Sequence, residues 1–93
     1  MIPDTLHAPR PSPGVVSVTV RHFAVLRERR GTEEERVELP AGTTVGELYA
    51  RLFPVGPEGR MPVLYAVDQC YVAADRVLSA GEEVAFIPPL GGG

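Results

Sequence analysis

The sequence predicts a small α+β domain in which one main helix packs on one face of a mixed sheet of four to five strands. Its 93 residues suffice for one domain with a small core. Several segments alternate apolar and polar residues, as half-buried strands do, whereas only one segment has a strong helical period. A single amphipathic helix can cover only one sheet face, so this pattern favours a two-layer fold.

The folded domain is predicted to begin after a proline-rich segment. Residues 1–14 contain four prolines and no apolar period, so we expect them to be disordered. Val15 to Phe23 alternates valines with polar residues and is predicted to be the first strand. Ala24 to Arg30 is predicted to form a short helix that ends at Gly31, and Arg36 to Leu39 to form the second strand.

The main helix is predicted to begin at Thr44 and to end before Pro54. Thr44 and Glu47 have the spacing of a capping box, in which a hydroxyl and a carboxylate bind free backbone N–H groups. From Val45 onward, apolar residues follow at the spacing of one helix face, so the helix can cover the sheet.

Three further strands are predicted after the main helix. Val63 to Val67 is almost wholly apolar, which is typical of a strand covered on both faces. Tyr71 to Val72 begins the next strand, and Val84 to Ile87 is the last, because two prolines follow it and cannot donate to a sheet ladder. This order of elements favours the β-grasp fold of ubiquitin-like proteins, with a domain at 15–87 and a flexible tail at 88–93.

Composition argues against several classes of function. The formal net charge is −3 and the sequence has no basic stripe, so we expect no nucleic-acid partner. No apolar segment is long enough to span a membrane, and the N-terminus lacks an apolar signal region. The single cysteine agrees with a reducing compartment, so the protein is expected to be cytoplasmic.

No set of internal side chains forms a predicted active site or metal site. His7 and His22 have no cysteine or clustered carboxylates near them in sequence, and His22 is predicted to be a half-exposed strand residue. Cys70 has no histidine beside it to act as a base. The run Glu33 to Glu35 is expected to be a solvated loop.

The candidate site is the C-terminal tail. Gly91 to Gly93 follow Leu90 and two prolines, and glycines can enter a tunnel too narrow for any other residue. A carboxylate is a poor electrophile, but its mixed anhydride with AMP can be attacked by a sulfur nucleophile. The tail is then the substrate of another protein, and its reactive group is the carboxyl group of Gly93.

The last strand predicts how the tail is presented. Phe86 is expected to face the core and Ile87 to face outward beside Leu90, because successive strand residues point to opposite faces. An apolar patch beside the tail favours a partner surface. The predicted partner-binding residues are Phe86, Ile87, Pro88, Pro89, Leu90, Gly91 and Gly92.

The same segment resembles a known family. Gly81 to Gly93 is similar to the ending of the molybdopterin synthase small subunit, whose pattern is roughly G-D-E-V-A-F-x-P-P-x-x-G-G. Val20 to Glu28 resembles that family's first strand and following turn, and the resemblance covers residues 15–93. Asp68 stands where the family usually has asparagine, so a hydrogen bond donated by that amide is in doubt. Gly91 stands where a small polar residue or alanine is usual, which loosens the tail.

The resemblance implies a β-grasp sulfur carrier that binds no cofactor or metal itself. It implies that a ubiquitin-activating-type adenylyltransferase uses ATP to adenylate Gly93, and that a sulfurtransferase converts this group to a thiocarboxylate. The tail would then enter the large subunit of molybdopterin synthase and donate sulfur to the cyclic pyranopterin precursor of molybdopterin. Two small and two large subunits would form a heterotetramer, in which this chain carries sulfur but does not catalyse.

Three alternatives stay open at this point. The chain could carry sulfur to another acceptor, in thiamine, cysteine or tRNA thiolation. It could be a ubiquitin-like protein modifier, although a sequence without lysine offers no side-chain amine for chains of itself. It could also be a β-grasp interaction module whose tail is inert.

Overall fold

The computed structural model describes residues 14–55 and 61–89, and these form one five-stranded sheet and two helices. The predicted α+β class and the predicted order of the main elements are confirmed. Most of segment 1–14, part of the loop after the main helix and the tail beyond Pro89 lie outside the described residues. The elements are β1 (Val15–His22), α1 (Ala24–Arg30), β2 (Glu34–Pro40), α2 (Val45–Leu52), β3 (Leu64–Val67), β4 (Cys70–Val72) and β5 (Glu83–Ile87).

The sheet has the strand order β2-β1-β5-β3-β4, so the last strand in the chain lies at its centre. β5 pairs in parallel with β1 and antiparallel with β3, and the two remaining pairs, β1–β2 and β3–β4, are antiparallel. The last strand of the chain is therefore central in a mixed sheet and is paired on both of its sides.

The core lies between the sheet and α2. Thr44 and Glu47 form the predicted capping box, with Thr44 Oγ1 accepting from Glu47 N at 3.1 Å and Glu47 Oε1 accepting from Thr44 N at 2.9 Å. The inward face of α2 buries Val45, Leu48 and Tyr49, as its apolar spacing predicts. Full burial of such a side chain contributes about 1.5–3 kcal/mol, so this one helix supplies much of the stability of the fold.

β2 begins at Glu34, two residues before the predicted start, and this corrects the interpretation of the acidic run. The register pairs Val20 with Glu35 and Arg21 with Glu34, so two of the three glutamates belong to the sheet rather than to a solvated loop. β1 is eight residues long, and β2 pairs with most of that length.

His22 is buried, and the prediction of a half-exposed residue is wrong. Only 2% of this residue is exposed, and its ring lies on the helix side of the sheet, edge-on to Phe53. The Nε2–H of His22 donates to Glu35 Oε2 over 2.6 Å, and Arg30 donates to the same carboxylate at 2.8 and 2.9 Å. The hydrogen bond to Glu35, on the neighbouring strand, allows the polar ring of His22 to be buried.

β3 is covered on one face only, which corrects the prediction of a strand covered on both. Leu64 is 57% exposed, because α2 packs on the opposite face and no described element covers this one. Ala66 on the same open face is buried, because its short side chain lies between Ala85 and the longer Tyr71 on the neighbouring strands.

Candidate functional site

The start of β5 is held by two sets of polar contacts. The hairpin between β3 and β4 turns at Asp68 and Gln69, whose positive φ values of 49° and 68° are typical of a type I′ turn. Asp68 N donates to Glu83 O at 2.8 Å, and Asp68 Oδ1 accepts from Glu83 N at 2.9 Å. The contact needs only an acceptor oxygen, which aspartate supplies as well as asparagine does.

Glu82 fixes the turn that leads into β5. Its two carboxylate oxygens each accept from Arg76 at 2.8 Å, and Oε1 also accepts from Ser79 N at 2.7 Å. The Arg76 guanidinium lowers the pKa of Glu82, with the Ser79 N–H adding to the effect against the cost of burial. This carboxylate therefore stays ionised at neutral pH and holds the turn in place.

The two faces of β5 differ as predicted. Val84 and Phe86 are fully buried, whereas Ala85 and Ile87 are half-buried on the open face of the sheet. Phe86 is confirmed as a core residue, with its ring 5.0 Å from that of Tyr49, so its side chain offers no surface to a partner. Of the predicted partner-binding residues in β5, Ile87 is the one that faces outward.

The tail leaves the sheet beside an apolar groove. β5 ends at Ile87, which is paired with Leu64 of β3, and Pro88 is buried while Pro89 is exposed. A groove of about 280 Å³ beside this exit is lined by Pro62, Val63, Leu64, Ile87, Pro88 and Pro89. Leu90 and Gly91 to Gly93 lie outside the described residues.

The open face of the sheet carries an apolar surface that sequence reasoning found only at Ile87. Phe23, Leu64 and Tyr71 lie on this face and are 39%, 57% and 73% exposed. Grouped exposed apolar side chains next to a functional segment mark an interaction surface. For Leu64 and Ile87 the available signal was the strand alternation, which places them opposite the core-facing Tyr65 and Phe86.

The described residues contain no candidate metal site. No group of three or more histidine, cysteine or acidic side chains in residues 14–55 and 61–89 is arranged to hold a metal ion. Cys70 is an exposed free thiol. Neither helix in the described part of the chain is long and apolar enough to cross a membrane.

Comparisons with known proteins agree with this geometry. The ThiS family model matches residues 20–93. The molybdopterin synthase sulfur carrier subunit of Mycobacterium tuberculosis is 39% identical over 83 residues, which are 85% of this chain and 100% of that protein. The protein of the same name from Chlamydomonas reinhardtii is 34% identical, over 84% of this chain and 100% of its own length.

Two solved structures share the fold over nearly their whole length. A putative molybdopterin converting factor subunit 1 from Pyrococcus furiosus has a TM-score of 0.66 and 31% identity, over 81% of this chain and 99% of that one. SAMP1 from Haloferax volcanii has a TM-score of 0.67 and 26% identity, over 83% and 99%. The predicted β-grasp fold is confirmed, and the chain belongs to the ThiS family, in which its sulfur-carrier relatives match it over most of its length.

Proposed function

We propose that this chain is the sulfur carrier subunit of a molybdopterin synthase. Seven curated relatives with that name are 31–39% identical to it over 84–85% of its length. The observation that carries the proposal is the position of β5 at the centre of the sheet, directly before Pro88 and Pro89. A segment leaving a strand that is paired on both sides starts from a fixed point, which suits delivery into another protein's active site.

The reactive group in this proposal is the carboxyl group of Gly93. Its oxygen attacks the α-phosphorus of ATP on a ubiquitin-activating-type adenylyltransferase, and pyrophosphate leaves. The terminal sulfur of a sulfurtransferase persulfide then attacks the carbonyl carbon and AMP leaves, which gives an acyl disulfide. A thiol reductant cleaves the S–S bond of this acyl disulfide, and a thiocarboxylate remains. In this proposal the role of the domain is to present the tail.

The large subunit of molybdopterin synthase is the proposed acceptor partner. A Helicobacter pylori structure with this fold, at 21% identity and a TM-score of 0.57, is titled a complex of subunits 1 and 2 of molybdopterin-converting factor. In this chain the open sheet face, with Phe23, Tyr71 and Ile87, lies next to the tail exit and is the surface on which such a subunit would dock. We expect a heterotetramer of two small and two large subunits in the cytoplasm, where ATP is available for adenylation.

Intact-protein mass spectrometry tests the carrier chemistry. The full chain is incubated with ATP, the adenylyltransferase and a sulfur source, and the expected change is the exchange of one oxygen for one sulfur at Gly93. A variant lacking Gly93 is the control, and it should keep the circular dichroism spectrum of the folded domain without gaining sulfur. Sulfur transfer by the truncated variant, or none by the full chain, would refute the mechanism.

A second measurement identifies the acceptor. The thiocarboxylated protein is mixed with the large subunit and the cyclic pyranopterin precursor, and the formation of the dithiolene of molybdopterin is followed. Loss of sulfur to this precursor supports the proposal. Sulfur transfer that occurs only in a thiamine, cysteine or tRNA pathway would contradict the proposal and favour a carrier for that pathway. A covalent conjugate with another protein would favour a protein modifier instead.

A further inference from the structure

β2 forms one edge of the sheet, and its outer side is paired with no other described element. His22 N–H donates to Glu33 O at 2.8 Å, which fixes the phase of the hydrogen bonds between β1 and β2. Backbone groups of successive residues in an antiparallel strand point alternately to its two sides. The residues of β2 whose backbone groups point away from β1 are therefore the even-numbered ones, Glu34, Arg36, Glu38 and Pro40.

Both ends of this outer edge are closed by residues of the chain itself. Thr32 Oγ1 donates to Glu34 O at 2.9 Å and accepts from Glu34 N at 3.3 Å. Pro40 has no N–H, and its carbonyl oxygen accepts from Thr43 Oγ1 at 2.6 Å and from Thr43 N at 3.2 Å. An approaching strand can therefore pair only with the middle of the edge.

The middle of the edge is complementary to itself. Arg36 and Glu38 each present one N–H and one C=O outward, and no other described residue binds these groups. In an antiparallel pairing centred on Val37, Arg36 faces Glu38 of a second copy, and the two residues exchange a pair of hydrogen bonds. The two-fold axis repeats this pair, so every free backbone group in the middle of the edge gains a partner.

The side chains favour the same register as the backbone. Arg36 and Glu38 are exposed, and neither makes an ion pair within the described part of the chain. Pairing centred on Val37 places each guanidinium directly opposite a carboxylate of the other copy, where cross-strand pairs of opposite charge are stabilising. The neighbouring symmetric registers place either two copies of Arg36 or two copies of Glu38 opposite each other, and like charges there are destabilising.

A second copy is the occupant that this edge fits. A strand from another protein would need an acidic and a basic residue in the reverse order, which two-fold symmetry supplies automatically. On the helix side of the sheet, the half-buried Val37 would meet its own equivalent. The opposite edge strand, β4, is only three residues long, so it offers little to a further copy and association stops at two.

We propose that two copies of this chain form a weak two-fold symmetric dimer through the outer edges of β2, centred on Val37. β1 lies between β2 and β5, so the contact leaves the exit of the tail uncovered in both copies. The two β5 strands lie five strand spacings apart, about 24 Å, and point in opposite directions. The inference does not depend on the sulfur chemistry, so a monomeric chain would overturn it without affecting the proposed function.

Sedimentation equilibrium of the full chain over a concentration series tests the dimer. Because the contact is small, we expect a dissociation constant on the order of 100 μM. Arg36→Glu and Glu38→Arg each place like charges opposite each other in both pairs, and each should weaken dimerisation at least about tenfold. Asp75→Arg is the matched control for Glu38→Arg, because it makes the same change of charge at an exposed residue far from β2, and it should dimerise like the wild type.

An equimolar mixture of the Arg36→Glu and Glu38→Arg variants tests the register. In a mixed dimer, every acidic side chain at these positions of one variant faces a basic side chain of the other, so complementarity is restored. The mixture should therefore associate at least as tightly as the wild type, although neither variant does so alone. The two variants differ in mass, so native mass spectrometry identifies the mixed dimer.

Three results would overturn the inference. The first is a wild-type chain that stays monomeric at about ten times the expected dissociation constant. The second is a wild-type dimer that both charge reversals leave unchanged, because the contact then lies elsewhere. The third is a mixture of the two variants that forms no mixed dimer. If Arg36→Glu does not fold by circular dichroism, Arg36→Pro replaces it, since it removes the outward N–H without a hydrogen bond to β1, and unchanged dimerisation in that variant also overturns the inference.

Discussion

Asp68 joins the β3–β4 turn to the central strand, and three substitutions separate its two roles. Its φ of 49° is unfavourable for most residues but is tolerated by aspartate and asparagine, and its Oδ1 accepts the Glu83 N–H. Asp68→Ala removes the hydrogen bond, which contributes about 0.5–1.5 kcal/mol. It also places alanine in the left-handed region, which costs about 1 kcal/mol. Because the side chain is exposed and water can replace the acceptor, we expect a total loss of about 1–2 kcal/mol.

The matched variants divide that loss. Asp68→Gly removes the hydrogen bond but has no penalty for positive φ, so it should lose less stability than Asp68→Ala. Asp68→Asn keeps an acceptor oxygen and the turn preference, and should stay within about 0.5 kcal/mol of the wild type. Urea unfolding followed by circular dichroism gives each value, and the loss in Asp68→Ala should shift the midpoint by about 1 M. If Asp68→Asn were as unstable as Asp68→Ala, the acceptor role assigned to this carboxylate would be wrong.

Three further predictions concern the rest of the fold. Arg30 lowers the pKa of Glu35, and Arg76 lowers the pKa of Glu82. Both pairs therefore stabilise the fold fully above the ordinary glutamate pKa of 4.5 and lose this contribution as the pH falls through the lowered values. The urea midpoint should fall over this pH range, and it should fall less steeply in Glu82→Gln. Gly46→Ala should destabilise by about 1–3 kcal/mol despite better helix propensity, because its Cβ would lie 3.0 Å from both the Cβ and the carbonyl oxygen of Ala74; a gain in thermal stability would contradict this. His22→Ala should lower the free energy of unfolding by about 2–4 kcal/mol, because it leaves a cavity at a buried position. His22→Phe should lower it less, because the phenylalanine ring fills that cavity. Equal losses for the two variants in urea unfolding would contradict this.

Local sequence patterns predicted most of the fold because they reflect local causes. The alternating valines of β1 and the capping box at Thr44 depend on residues close in sequence, so their spacing alone identifies a strand and a helix start. The opposite orientations of Phe86 and Ile87 follow from strand geometry in the same way. The resemblance of the last thirteen residues then led to the family that the comparisons identify.

The misses all depend on residues that are distant in sequence. His22 can be buried because its ring donates to Glu35, thirteen residues later on the neighbouring strand β2, and no periodicity of the sequence reveals that contact. Leu64 lies on the open face because α2 packs on the other, which the apolar composition of β3 does not reveal. The groove beside the tail exit requires Leu64 and Ile87 to lie side by side, and only the register of the folded sheet brings them together.

The position of β5 has a consequence for how the protein is made. β5 follows every other described element in the chain, so it leaves the ribosome after them, yet it fills the middle of the sheet. Until it arrives, β1 and β3 have no partner on their inner sides, and open strand edges of this kind favour association with other chains. The domain therefore completes its sheet only when synthesis has passed Ile87. A chain that stops before Ile87 therefore leaves the inner edges of β1 and β3 unpaired.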